Sequence, residues 1–334
     1  MLKLIFLVFG LVVLTGIVWH IGPDSILRTA SQLGPVPLVI ILSPMILVYG
    51  FEAVGWRLTL GDHARRVGFA QLFAIRMAGE SVNVTTPAAY VGGEPLKAYL
   101  LKPYGVPFVE GLASVVTAKT TMTIAQVLFI LVGIGLAFWI LGASEHYLLA
   151  ALVSVGLLAF GLALFMLIQR YGLAMGCLRV LNACRIRLTF LETRRAALEE
   201  LDSTIRRFYT HHRRTFYVAL ATFFLAWMLE TLEVYAILYF LDVPVDILTS
   251  VSIAALTVFI KGSTFFIPGS LGAQEGGYVL LLLAYGYPEV TGITFALIRR
   301  LREILWIGIG LFCLVLLKGR GEIVENDTPP SETR

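Results

Sequence analysis

The chain of 334 residues is 58% hydrophobic, has a mean hydropathy of +0.84 and carries only 14% charged residues. This composition excludes an ordinary soluble globular domain and indicates an all-α polytopic membrane protein. The formal net charge of +4 gives no reason to expect a nucleic-acid partner, because the basic residues are concentrated in one segment, where they report membrane topology.

The first part of the chain predicts two spans, at residues 4–19 and 36–60, followed by an interrupted segment. Between 69 and 104, two amphipathic pieces flank a turn of small residues that contains Pro87. Each piece is shorter than the ~20 apolar residues that a crossing needs, so we expect a re-entrant helical hairpin that enters from the cytoplasm. A third span at 107–141 completes a first repeat, residues 1–141.

The most basic connection of the chain follows a fourth span at 146–168. Residues 170–214 contain ten arginines against four acids, so the positive-inside rule places this insert, and with it both termini, in the cytoplasm. Apolar residues recur at helical spacing between 191 and 208. This pattern fits either an amphipathic helix at the membrane surface or a connector helix with one apolar stripe against the bundle.

The remaining elements form a second repeat, residues 142–317. A fifth span is expected at 215–241, a second hairpin at 247–286 with Pro268 at its turn, and a sixth span at 289–317. The tail, 318–334, is rich in Pro, Ser, Thr and Glu and is expected to be disordered.

A single offset of 181 positions relates the two halves. It carries Pro87 onto Pro268, and the same shift relates three charged pairs: Glu52 with Glu233, Glu94 with Glu275, and Lys119 with Arg300. Because each copy crosses three times, the second copy must be inverted. The predicted fold is therefore six transmembrane helices plus two re-entrant helical hairpins in inverted-topology repeats, which is typical of secondary transporters.

Span six carries charges near its middle, where each costs at least about 2.5 to 3.5 kcal/mol. Helical spacing places Arg299, Arg302 and Glu303 on roughly one face, with Arg300 about 100° away. One interpretation is that these arginines, with Lys119 and Lys261, bind a phosphate-bearing head group of a membrane lipid. The alternative is an internal ion-pair network that only locks the bundle, with four carboxylates as partners: Glu94, Glu230, Glu233 and Glu275.

The two turns supply further candidates for a substrate pathway. Glu94 and Glu275 fall at helix starts, where a carboxylate either caps the helix or, with the turns meeting in the membrane, exchanges protons or binds a cationic part of a head group. Glycines at the turns, among them Gly92, Gly93 and Gly272, suggest an anion cradle of exposed amides. Asn83 is expected to bond to freed backbone groups or to substrate.

No enzymatic centre is evident. Asp, His and Cys are too sparse in the spans for a metal site or a nucleophilic triad, and no nucleotide-binding phosphate loop occurs. We therefore predict a transporter and not an enzyme, with no cofactor. Whether the chain forms a homo-oligomer is left open.

The turns, from Asn83 to Glu94 and from Pro268 to Glu275, and the arginine-rich span six resemble the transmembrane flippase-like domain of the lysylphosphatidylglycerol synthase family, in stand-alone form. The stretch from Arg299 to Glu303 is similar to the hopanoid-biosynthesis-associated membrane protein branch.

The resemblance implies lipid translocation between the leaflets of a bacterial inner membrane. Aminoacylation is not implied, because no aminoacyl-transferase domain follows Lys318. Two alternatives stay open: a lipid-binding membrane partner of a lipid-modifying or hopanoid pathway that moves no lipid, and an integral membrane transferase.

Overall fold

The computed structural model describes residues 33–85, 92–142, 195–264 and 272–326, the last range with side chains as far as 317. Single residues between 12 and 31 and between 153 and 176 are also described. Both predicted turns, with Pro87 and Pro268, lie outside these ranges, as do most of spans one and four.

The described elements are all helices. In chain order they are α1 (Pro35–Leu42), α2 (Pro44–Thr59), α3 (Phe69–Thr85), α4 (Gly93–Leu101), α5 (Phe108–Leu141), α6 (Arg195–His211), α7 (Arg213–Phe240), α8 (Ile247–Ser263), α9 (Ala273–Ala284) and α10 (Glu289–Asn326), with 3₁₀-helices at Gly61–Arg65 and Lys102–Tyr104.

Three of the described segments are long and apolar enough to cross a membrane: Pro35–Thr59, Phe108–Leu141 and Arg213–Phe240. They correspond to the predicted spans two, three and five. Helices α3, α4, α8 and α9 contain 17, 9, 17 and 12 residues, which is fewer than the ~20 needed for a crossing. The described chain is thus a helical membrane protein, whereas the count of six spans and the re-entrant path stay predictions.

Span two keeps its predicted bounds but contains a break, and the start of the tail is corrected. Span two is two helices, because Pro44 occupies the first position of α2, where its missing N–H interrupts the hydrogen bonding that would continue α1. The tail predicted to be disordered begins as helix, since α10 continues to Asn326. The tail is polar, and a helix that lies outside the membrane needs no apolar residues.

The helix boundaries repeat at the offset of 181. Thr59 ends α2 and Phe240 ends α7, while Phe108 begins α5 and Glu289 begins α10. The packing repeats in the same way. Helix α3 packs against α4 and α10, and α8 packs against α9 and α5, so each short pair contacts the long helix of the other half. Such reciprocal contacts are what a two-fold relation between the halves produces.

Similar hydrogen bonds join the two halves at these reciprocal contacts. Ser81 of α3 donates its hydroxyl to the carbonyl of Ile307 on α10, at 3.1 Å. Ser252 of α8 donates to the carbonyl of Gly133 on α5, at 2.7 Å. Small residues allow this close backbone approach, which is the usual basis of helix association in membranes.

The basic insert contributes a helix that packs on the bundle. Leu201, Ile205 and Phe208 form the buried face of α6, and the first two join a cluster with Ala113 of α5. This is the connector-helix interpretation of the two that the sequence left open, because the apolar stripe contacts protein.

Burial is reversed relative to a soluble protein. Arg299 and Glu233 are 1% and 0% exposed, whereas Phe312 and Leu280 are 63% and 68% exposed. An exposed apolar surface around a charged interior matches a hydrocarbon environment.

We expect Gly310→Ala to destabilise the protein by about 1–3 kcal/mol, because the added methyl group would overlap Ser81 Oγ and the Met77 carbonyl on α3. Gly308→Ala on the same helix is the matched control, because nothing lies within 4 Å of its new methyl group. Thermal unfolding in detergent micelles, followed by circular dichroism, measures both. Equal melting temperatures for the two variants would contradict the close α3–α10 contact.

Candidate functional site

A cavity of about 380 Å³ lies between the two halves of the described structure. Helices α2, α3 and α5 line it from the first half, and α7, α8, α9 and α10 from the second. Nine charged side chains reach its wall: Glu52, Arg76, Glu80, Lys119, Glu230, Lys261, Arg299, Arg302 and Glu303.

Two arginines of α10 bind two glutamates of α7 in the buried interior. Arg299 donates to Glu230 at 2.5 Å and to Glu233 at 3.0 and 3.2 Å, and its remaining nitrogen donates to the Thr257 hydroxyl at 2.5 Å. Arg302 donates to Glu233 at 2.7 Å and more weakly to Glu230 at 3.4 Å. Two positive and two negative charges thus compensate one another through direct contacts.

Arg300 belongs to a separate group on the neighbouring face of α10. It donates to Glu275 of α9 and to Glu303, both at 2.7 Å. Glu303 also accepts from Lys261 at 2.6 Å and from Gln274 at 3.3 Å. The sequence grouped Glu303 with Arg299, but its position between the two faces lets it pair with Arg300, one turn away.

The first half contains its own ion pairs. Arg76 of α3 pairs with Glu52 of α2, and both side chains are almost fully buried. Lys97 of α4 donates to Glu80 at 2.6 Å and to Glu94 at 3.1 Å. A cavity of about 30 Å³ between these pairs adjoins the larger one and shares lining residues with it.

The offset of 181 also maps an ion pair onto an ion pair. Lys119 lies 3.8 Å from Glu94, and their counterparts Arg300 and Glu275 are hydrogen-bonded. In both halves, a cation of the long helix therefore contacts a carboxylate in the first turn of the short helix.

Charge is balanced over the interior. The ion pairs described above join seven basic residues, namely Arg76, Lys97, Lys119, Lys261, Arg299, Arg300 and Arg302, to seven glutamates, namely Glu52, Glu80, Glu94, Glu230, Glu233, Glu275 and Glu303. The internal network that the sequence raised as an alternative is therefore present, whether or not it also binds substrate.

Asn83 fastens the start of α4 to α3. Its Oδ1 accepts from the Gly93 amide at 2.7 Å, and its Nδ2 donates to Glu94 at 2.9 Å. A methyl group at Gly93 would overlap the Gly79 carbonyl, so glycine is needed here for close packing. Asn83 thus satisfies freed backbone, one of the two roles expected of it.

The anion cradle proposed for the glycines is wrong where it can be checked. The amide of Gly93 bonds to Asn83, that of Gly272 to the Glu275 carboxylate at 2.8 Å, and that of Gly276 to the Gly272 carbonyl. These amides are already used by the helix starts, so they are not exposed for an anion. Gly92 precedes α4, and none of these glycines lines the large cavity.

The two turn carboxylates have different roles. Glu275 caps α9 through the Gly272 amide, as expected of a carboxylate at a helix start. Glu94 does not cap α4, because Asn83 bonds to the Gly93 amide there. Each glutamate hydrogen-bonds within its own half. The two carboxylates therefore have no direct contact through which they could exchange a proton.

Sequence reasoning missed Arg76, Glu80 and Lys97. They lie in short amphipathic segments, where a single charged residue does not stand out as it does in an apolar span. The offset itself contained a signal, since it carries Glu80 onto Lys261, and both side chains line the large cavity.

Comparison with known proteins gives a family and two relatives. The family described as the lysylphosphatidylglycerol synthase TM region matches residues 2–310. A UPF0104 membrane protein of Methanothermobacter thermautotrophicus is 28% identical over 302 residues, covering 86% of each chain. Another, from Methanocaldococcus jannaschii, is 21% identical over 322 residues, covering 94% of each. No solved structure matches significantly.

We expect Glu233→Gln to lower stability by about 3–5 kcal/mol, because Arg299 and Arg302 would share a single carboxylate in a buried site. Adding Arg302→Met should recover part of this loss by removing the uncompensated cation. Glu199→Gln, which affects an exposed pair with Arg195, is the control and should change stability by less than about 1 kcal/mol. Thermal unfolding in micelles tests the set, and no recovery in the double variant would contradict the pairing.

Proposed function

This chain belongs to the lysylphosphatidylglycerol synthase TM region family, and on that premise we propose that it moves an amphiphile with a phosphate-containing head group between membrane leaflets. The observation that carries the proposal is the charged cavity between the two halves of the chain. In a membrane protein, ionisable side chains that line an interior cavity most often mark a substrate or ion pathway.

The cavity has the right size and surroundings for a head group. At about 380 Å³ it falls within the range of small-molecule sites, about 300–1,000 Å³. Basic side chains would bind the phosphate, and the exposed apolar exterior leaves the acyl chains in lipid. A lipid that used this route would avoid the desolvation cost of carrying its head group through hydrocarbon.

Two lysines of the cavity wall could exchange their glutamate partners for a phosphate. Lys119 and Lys261 line the wall with 36% and 35% of their side chains exposed, and each is held by a glutamate. A phosphate that entered would compete with Glu94 or Glu303 for these ammonium groups. The displaced carboxylate would keep a second partner, Arg300 for Glu303 and Lys97 for Glu94, so neither a cation nor a carboxylate would be left unpaired.

The predicted path of the short helices completes the proposal. Helices α3 with α4, and α8 with α9, would form the two re-entrant hairpins on opposite sides of the membrane. The cavity would then open alternately as one half rocks against the other, as in transporters with inverted repeats. The reciprocal packing of α3 on α10 and of α8 on α5 supports the two-fold relation that such a mechanism needs.

One observation favours a second candidate, a lipid-binding membrane partner that moves no lipid. All three nitrogens of Arg299 and of Arg300 already donate to protein groups. So many internal bonds would also suit a rigid bundle that only holds a lipid for another enzyme.

Reconstitution into liposomes that contain a head-group-labelled phosphatidylglycerol tests the proposal. The wild type should expose the label of the inner leaflet to an impermeant quencher, and Lys261→Gln should slow this exchange about tenfold or more, because it removes a charged hydrogen-bond donor from the cavity. Lys102→Gln, an exposed position outside the cavity, is the matched control and should exchange at the wild-type rate.

The outcomes separate the candidate functions. Binding of the labelled lipid without leaflet exchange would favour the partner role. A covalently altered lipid, detected by mass spectrometry, would favour the transferase that the sequence left open. Equal slowing by Lys261→Gln and Lys102→Gln would contradict a pathway through the cavity.

A further inference from the structure

We infer that the phosphate group binds at three donor atoms on one wall of the cavity: the Tyr278 hydroxyl, Arg302 Nε and Trp306 Nε1. The inference rests on the proposed function for the kind of ligand, and it assigns the position at which that ligand's phosphate is recognised. Two of these residues, Tyr278 and Trp306, do not carry a charge and gave no signal in the sequence.

The three donors come from two adjacent helices. Arg302 and Trp306 are four residues apart on α10 and therefore lie on the same face, one turn from each other. Tyr278 comes from α9, which packs along α10, and its ring centre lies 5.5 Å from the Arg299 guanidinium carbon. All three side chains line the large cavity.

These donor atoms are buried and have no hydrogen-bond partner in the described structure. Tyr278 and Arg302 are only 1% and 4% exposed. Arg302 directs Nη1 to Glu230 and Glu233 but leaves Nε unbonded. A buried donor without an acceptor costs about 1–3 kcal/mol, so three in one wall indicate a group that supplies acceptors there.

The described buried polar atoms of this wall that lack a hydrogen-bond partner are donors. Among the described lining residues, the unbonded buried polar atoms are these three, and the unbonded carboxylate oxygen, Glu233 Oε1, belongs to a residue outside the lining. An ammonium group would meet no unbonded buried acceptor among the described lining residues. Phosphate oxygens accept several hydrogen bonds at once and fit such a set.

The charge at this wall favours a phosphodiester. Arg299 and Arg302 are already compensated by Glu230 and Glu233, so the wall offers donors with little net positive charge. A phosphomonoester brings a charge of about −1.5 to −2 at neutral pH, whereas a phosphodiester brings −1. The smaller charge is easier to hold away from water.

Aromatic contacts hold two of the donors in place. Trp306 packs edge-on against Tyr49, with ring centres 4.8 Å apart, and Tyr278 packs edge-on against Phe295, at 5.9 Å. Rings fixed in this way lose little conformational freedom when a ligand binds, which favours affinity.

The test measures binding of short-chain phosphatidylglycerol to the purified full chain in micelles by titration calorimetry. Tyr278→Phe and Trp306→Phe each remove one donor and keep an aromatic ring, so each should raise Kd about tenfold or more. The melting temperature of the ligand-free variants should stay equal to that of the wild type or rise, because the removed groups have no partner to lose. Loss of binding together with an equal loss of ligand-free stability would overturn the assignment.

The control variants are Tyr209→Phe, which removes a buried hydroxyl outside the cavity, and Trp139→Phe, which changes an exposed tryptophan. Both should keep the wild-type Kd. Unchanged binding in Tyr278→Phe and Trp306→Phe would overturn the inference, as would equal binding of a diacylglycerol that lacks phosphate. Displacement of the lipid by dimethyl phosphate, a soluble phosphodiester, would support it, and binding of dimethyl phosphate without any binding of the lipid would overturn a lipid as the source of the phosphate.

The same variants distinguish this inference from the proposed function. If Tyr278→Phe exchanges lipid at the wild-type rate with an unchanged Kd, the phosphate position is contradicted and the proposed transport is not. Donor-dependent binding by a wild type that exchanges no lipid would remove transport and leave the phosphate position intact.

Discussion

The cost of holding charges away from water governs this structure. Seven basic and seven acidic side chains lie in the interior of a chain whose outer surface is apolar, and each basic residue contacts at least one glutamate. Because a buried charge without a partner costs several kcal/mol, the helices must stand where these pairs can form. The large cavity lies among these pairs, and nine charged side chains reach its wall.

The internal repeat explains how such an interior is built. Each half places a cation of its long helix against a carboxylate in the first turn of its short helix, as in Lys119 with Glu94 and Arg300 with Glu275. The two halves differ at this position. The second has an arginine, which holds several partners in fixed geometry, and the first has a lysine, which binds as a mobile point charge. Arg300 is thus suited to fixed recognition and Lys119 to exchange of partners.

The sequence predicted the long helices better than it predicted the contacts between side chains. The helices α5 and α7 match their predicted spans because long apolar runs have no alternative in a membrane. The offset of 181 identified Glu94 and Glu275 as equivalent, yet one caps its helix and the other does not, because Asn83 bonds to the first helix start. The sequence contained no means of choosing between the Asn83 amide oxygen and the Glu94 carboxylate as the acceptor for this amide.

By itself, the sequence determined that this is a helical membrane protein with a repeated arrangement of rare charges, since hydropathy, helical spacing and the constant offset are local or pairwise properties of the chain. Only the tertiary structure decided which charges pair, because Glu303 lies between two faces of α10 and its partner depends on where α8 and α9 pack. It also decided which neutral donors, such as Tyr278 and Trp306, are left without partners in the cavity wall. Hydrogen-bond satisfaction is a property of the complete surroundings of an atom, and those surroundings exist only once all the helices have packed.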